Sequence, residues 1–168
     1  MRARRPKSPP DAGSESAVRT VALRLLTVRP RGSEDLARTL ERRGFERAAV
    51  RATIERLLAE GWLDDLAAAR SLVRARAGRY GRARILRELS VLGFTKETAG
   101  AALETEAGGT EQKALRRAFD LLWRRTESLD SAARRRRVSG ALSRKGFAGE
   151  AISAMMKGSH DDEEVDIG

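Results

Sequence analysis

The sequence predicts an all-α protein of three tandem three-helix repeats, stacked as an elongated curved array. Three observations predict it. Apolar residues recur at helical spacing along nearly the whole chain, no segment alternates convincingly with period two, and a Gly-Phe pair returns three times in matching surroundings. The pairs are Gly44–Phe45, Gly93–Phe94 and Gly146–Phe147, spaced 49 and 53 residues apart. Eight residues before each glycine stand Leu36, Ile85 and Val138, and four before it Leu40, Leu89 and Leu142. Six residues after it come Val50, Ala99 and Ile152, and ten after it Ile54, Leu103 and Met156. A unit of about 45–50 residues buries little by itself, so stacking in series follows.

Residues 1–16 are rich in Pro, Ser and charge without apolar periodicity, and read as a disordered basic arm. The first repeat is expected over 17–61. Its opening helix, 17–28, carries Val18, Val21, Ala22, Leu25 and Leu26 and stops before Pro30. Ser33 reads as the N-cap of the second helix, with Glu34 and Asp35 complementing the dipole of its first turn. That helix presents Leu36 and Leu40 and ends at Gly44; the third presents Val50, Ile54, Leu57 and Leu58 and ends at Gly61. The second repeat, 62–107, opens with a helix over 64–77, whose paired Asp64 and Asp65 read as N-cap and dipole compensation. The third, 108–158, opens with a helix over 111–124 striped by Leu115, Ala118, Phe119 and Leu122. In each unit the glycine turns the chain between the second and third helices, and Phe45, Phe94 or Phe147 fills the core they share. Residues 159–168 read as a disordered acidic tail.

The chain has no cysteine, which excludes disulfides, thiolate catalysis and cysteine-based zinc sites. No apolar run reaches the ~18 residues of a membrane span and no signal peptide is evident, so a soluble cytoplasmic protein without a membrane partner is expected. Lys and Arg number 34 against 24 Asp and Glu, a net charge of +10, and the body from Ala17 to Gly158 carries +13. A body that basic seeks a polyanion, nucleic acid or nucleoprotein.

Catalytic patterns are missing. The lone histidine, His160, sits in the acidic tail, Asp64 and Asp65 have no nearby nucleophile, and "AGGTEQKA" lacks phosphate-loop spacing. The expectation is a protein that is not an enzyme and uses no cofactor or metal. Two basic clusters remain as candidate partner or nucleic-acid contacts. One comprises Arg74, Arg76, Arg79, Arg82 and Arg84 around Tyr80; the other, Arg134, Arg135, Arg136 and Arg137 followed by Arg144 and Lys145. Four successive arginines circle a helix, so part of that run faces solvent. The chain has no asparagine and one glutamine, Gln112, a poor inventory for reading adenine, so backbone or protein contacts suit it better than base readout.

The segment "GWLDDLAAARSLVRARAGRYGRARILRELSVLGFTKETAGAAL" resembles the central region of the RecX family of bacterial regulatory proteins. The matching positions are Gly61, Trp62, Leu63, Asp64, Asp65, Ala68, Arg76, Gly81, Glu88, Leu89, Gly93 and Phe94; where the family often has an aromatic residue two positions after the paired acids, this chain has Ala67. The stretch around Gly44 resembles the family's first repeat equally well, and the third repeat matches more loosely. The resemblance implies three tandem three-helix repeats and binding to the RecA recombinase filament on single-stranded DNA. Family members lie in the filament groove, touch protein and DNA backbone, and damp filament extension, ATP hydrolysis and strand exchange. A monomer is expected. The alternative is a helical regulator that binds duplex DNA directly, which would want dimer symmetry and base-reading side chains.

Overall fold

The computed structural model describes residues 11–164, and side chains as far as residue 158. Among these residues it has nine helices and no strand: α1 (Glu15–Val28), α2 (Ser33–Arg42), α3 (Arg47–Ala59), α4 (Asp65–Ala77), α5 (Arg82–Val91), α6 (Lys96–Glu106), α7 (Thr110–Arg125), α8 (Ser131–Arg144) and α9 (Gly149–Glu164). Every third connection is a Gly-Phe turn. Gly44, Gly93 and Gly146 have φ of 94°, 80° and 86°, the left-handed region where a β-carbon is penalised. Each glycine donates its N–H three residues back, to Glu41, Ser90 and Ser143, and each phenylalanine donates five back, to Leu40, Leu89 and Leu142. These two bonds are the Schellman pattern, which places an apolar residue just past the glycine against the helix it ends. Phe45, Phe94 and Phe147 are accordingly buried.

In the first triplet Val18, Ala22, Leu25, Leu36, Leu40, Phe45, Val50, Ile54 and Leu57 form one core. In the third, Leu115, Phe119, Val138, Leu142, Phe147 and Ile152 do the same. Leu58 departs from its expected place on the α3 stripe: it is exposed, because it lies one residue off the face closed by Ile54 and Leu57.

Three boundaries also differ from expectation. Ser14 caps α1 by accepting the Ala17 N–H, so that helix begins at Glu15, and the Ala12 carbonyl accepts the Glu46 N–H at 2.9 Å. Residues 11–14 of the expected disordered arm are thus held by capping and by the α2–α3 connection; its residues 1–10 lie outside the described part. Gly32, and not Ser33, is the N-cap of α2. Helix α9 continues to Glu164, six residues into the expected disordered tail. Gly158 is the one glycine inside α9 beyond its first residue, Gly149, and a single interior glycine costs a helix only about 1 kcal/mol. Residues 165–168 lie outside the described part.

The described chain divides into two compact units. The first comprises residues up to Ala69 with Leu89–Ala101, and the second Arg70–Glu88 with Ala102 onward. This division crosses the middle triplet, and the reason is a joint that occurs once in each unit. In the first, Gly32 donates its N–H to the Leu92 carbonyl at 2.8 Å. A β-carbon on Gly32 would stand 2.2 Å from the Gly93 carbonyl oxygen, and one on Gly93 would stand 2.4 Å from the Asp35 nitrogen. In the second, Gly81 donates to the Lys145 carbonyl at 2.9 Å and Ala83 to the Gly146 carbonyl at 3.2 Å. There a β-carbon on Gly81 would meet the Gly146 oxygen at 2.3 Å. Backbone meets backbone at both joints, with no room for a side chain. The corresponding N-cap of the third triplet is Asp130, whose side chain closes its own helix by accepting the Ala133 N–H at 2.8 Å.

Candidate functional site

The second joint gathers the cations that the sequence separates. Residues Gly78–Gly81 link α4 to α5, and the Arg76 carbonyl accepts the N–H of both Arg79 and Tyr80, folding the turn tightly. The Gly81–Gly146 approach then sets this turn beside the end of α8. Tyr80 ends with the Arg84 guanidinium 4.3 Å from its ring centroid and the Lys145 ammonium 5.3 Å away. Arg84 also donates to the Arg144 carbonyl at 3.4 Å. The two basic clusters are therefore brought together at Tyr80, Arg84, Arg144 and Lys145. Arg79 and Arg82 are exposed beside them, and their guanidinium groups have no partner among the described residues.

Other candidates are engaged. Arg76 makes a fork with Glu88, with three N–O distances of 2.9–3.2 Å, and this hydrogen-bonded charge raises the Arg76 pKa above its ordinary value. Arg74 pairs with Glu106 at 2.7 Å. Arg134 stacks 4.0 Å from the Trp123 ring and donates to the Trp123 carbonyl at 2.9 Å, while the buried Nε of Arg135 has no partner. Arg136 and Arg137 are exposed on the far face of α8.

The first joint handles charge differently. Where the second has Tyr80 and Arg84, the first, 49 residues earlier, has Arg31 and Asp35. Asp35 is buried and accepts hydrogen bonds from both Arg29 and Arg31. The α2 terminus there is closed by Asp65, which accepts the Ser33 N–H at 3.0 Å and its hydroxyl at 2.6 Å, while Asp64 caps its own helix through the Ala67 N–H. Glu111 does for α5 what Asp65 does for α2, accepting the Arg82 N–H at 2.8 Å. One backbone device thus carries a buried carboxylate between two arginines at the first joint and an aromatic ring beneath two cations at the second.

Over the whole units the difference in charge is small, fifteen basic and eleven acidic residues against nineteen and thirteen, and it is concentrated in the stretch from 11 to 158. In the first, described residues supply eleven basic and eleven acidic side chains; in the second, as far as Gly158, nineteen and eight. The recess beside Tyr80, Arg82, Ile85, Leu103 and Glu111 holds only about 120 Å³, below the ~300 Å³ of a small-molecule pocket. No group of three or more His, Cys, Asp or Glu suited to a metal occurs among the described residues, and no helix there is long and apolar enough to cross a membrane.

Sequence reasoning missed Gly32 as a joint residue, Asp65 and Glu111 as caps of neighbouring helices, and the exposure of Trp62. A signal for the first existed: Gly32 and Gly81 are 49 residues apart, the spacing of Gly44 and Gly93.

The described residues define an all-α repeat protein with a cationic backbone joint, and comparison with known proteins places it among regulatory proteins. Residues 19–57 match the family model described as the first three-helix domain of RecX. The chain is 39% identical over 134 residues to the regulatory protein RecX of Xanthomonas campestris pv. campestris (strain B100), covering 78% of this chain and 80% of that one. It is 34% identical over 144 residues to the regulatory protein RecX of Stenotrophomonas maltophilia (strain R551-3), covering 84% and 86%. The crystal structure of RecX from Lactobacillus salivarius superposes with a TM-score of 0.73 at 19% identity, over 85% of this chain and 94% of that one. The chain belongs to the RecX family.

Proposed function

We propose that this chain binds RecA recombinase filaments on single-stranded DNA and restrains filament extension, ATP hydrolysis and strand exchange, acting as a monomer in the cytoplasm. Family membership supports a regulatory role. The observation that carries the reading of the site is the second joint, where Arg84 and Lys145 lie over Tyr80, Arg79 and Arg82 are exposed next to it in the chain, and Arg84 stands at the position that the buried Asp35 holds in the first joint. Guanidinium groups held at a rigid turn suit phosphate or carboxylate, the anions a nucleoprotein filament exposes. The joint geometry is set by backbone, so the exposed arginines can change without unfolding it.

The test is co-sedimentation with a RecA–single-stranded DNA–ATP filament, with naked single-stranded and duplex DNA as controls, alongside the filament's ATPase rate. Wild type should co-sediment and slow ATP hydrolysis. Arg79→Glu with Arg82→Glu should lose both effects while far-ultraviolet circular dichroism stays unchanged. Binding confined to duplex DNA would overturn the reading in favour of a direct DNA-binding regulator.

A further inference from the structure

The two joints show what a Gly-Phe turn accepts. In each, the carbonyl just before the turn's glycine, Leu92 or Lys145, takes the N–H of Gly32 or Gly81, at 2.8 and 2.9 Å. The first triplet has the same turn at Gly44–Phe45, and what meets it is the strap of residues 11–14. The Ala12 carbonyl accepts the Glu46 N–H at 2.9 Å, and a β-carbon on Gly13 would stand 3.1 Å from a carboxylate oxygen of Glu46. The direction of the bond is reversed relative to the joints, but backbone again covers backbone. Ser14 fixes the other end of the strap: its N–H donates to the Asp11 carbonyl at 2.9 Å, and its hydroxyl caps α1 through the Ala17 N–H.

A second copy of the chain is the competing occupant. Gly32 and Gly81 lie twelve residues before Gly44 and Gly93, and both are already engaged in their own joints. Twelve residues before Gly146 stands Arg134, inside α8, and its N–H is spent on the Asp130 carbonyl at 2.8 Å. At none of the three positions does another molecule find the backbone donor that a joint uses. We infer that the Gly44–Phe45 turn is a docking face of the joint type whose occupant is the chain's own strap, Asp11–Ser14, which closes the first triplet against a second copy. This closure is independent of the partner proposed above and bears only on the protein's acting as a monomer.

Amide exchange in full-length wild type and Glu46→Pro tests whether the strap is seated. Glu46 has φ of −68°, which proline adopts, so the substitution removes the N–H and keeps the carbonyl that accepts the Val50 N–H. In wild type the Glu46 amide should exchange about ten-fold or more slower than a free amide, and exchange at the free rate would overturn the closure. In Glu46→Pro the Ser14 amide should exchange about ten-fold faster with far-ultraviolet circular dichroism unchanged; an unchanged Ser14 rate would overturn it as well. Cysteine pairs then identify the occupant, in a chain that has no cysteine of its own. Ala12→Cys with Glu46→Cys should close an intramolecular disulfide under mild oxidation, because backbones joined by a hydrogen bond lie within disulfide reach. Ala12→Cys with Glu60→Cys, whose second site is about 20 Å away at the other end of α3, should close about ten-fold more slowly. Equal rates for the two pairs would mean a loose strap and overturn the closure. Disulfide-linked dimers from the first pair would show that a second copy supplies the strap, and would overturn it too.

Discussion

Gly81 has room for a hydrogen and nothing more: a β-carbon would stand 2.3 Å from the Gly146 carbonyl oxygen, 2.4 Å from its carbon and 2.5 Å from the Phe147 nitrogen. Those are backbone atoms and cannot swing away. Gly81→Ala should therefore destabilise the protein by about 1–3 kcal/mol, the usual cost of overpacking. Three residues earlier, Gly78 has nothing within 4 Å of its ideal β-carbon, so Gly78→Ala should stay within about 0.5 kcal/mol of wild type. Urea denaturation of both variants checks this. Equal behaviour would show that the close approach at the second joint is not there in solution.

Individual helices depend on caps from near and far. Thr95 accepts the Thr98 N–H at 3.2 Å at the start of α6. In the same first turn a backbone N–H and then the Thr95 hydroxyl hold the exposed Glu97 carboxyl below the ordinary glutamate range. A carboxyl depressed in the folded state stabilises above its unfolded pKa, and that contribution disappears as pH falls through the folded value. Thr95→Ala should cost about 1 kcal/mol and move the Glu97 pKa up towards the ordinary range, as followed by NMR titration of its side-chain carbons. Asp65 works across elements, since its carboxylate caps α2 from 32 residues away. Asp65→Ala should cost a similar ~1 kcal/mol, and amide exchange should quicken at the start of α2 with α4 unaffected. Protection lost in α4 instead would contradict that assignment.

At the scale of the molecule, charge location can be separated from net charge. Arg47 and Arg51 are exposed in the first unit and pair with Glu41 and Glu55. Reversing both to Glu lowers the net charge as much as reversing Arg79 and Arg82 does. If binding followed net charge, the two double variants would lose affinity for single-stranded DNA equally. If the second joint holds the phosphates, only Arg79→Glu with Arg82→Glu should bind more weakly. Its logarithmic salt slope should also shrink, since the slope is about −0.7 per phosphate neutralised on single strands. Fluorescence anisotropy over a salt series reads both quantities.

Much of the fold was legible because helical periodicity and Schellman glycines are local. Leu40, Gly44 and Phe45 specify a helix end within six residues, and the same pattern recurs twice, so sequence alone determined an all-helical repeat with its core positions. It also determined that Arg and Lys outnumber Asp and Glu. What it left undecided is which of those charges are spent. Arg31 and Arg84 read alike in a list of basic residues, yet one is neutralised by Asp35 and the other lies over Tyr80. That difference depends on joints that bring Gly32 to Gly93 and Gly81 to Gly146 across more than sixty residues. Partners so distant in the chain leave no periodicity to read. Only the tertiary packing of backbone on backbone decides where positive charge remains exposed, and where an indole such as Trp62 stays in water.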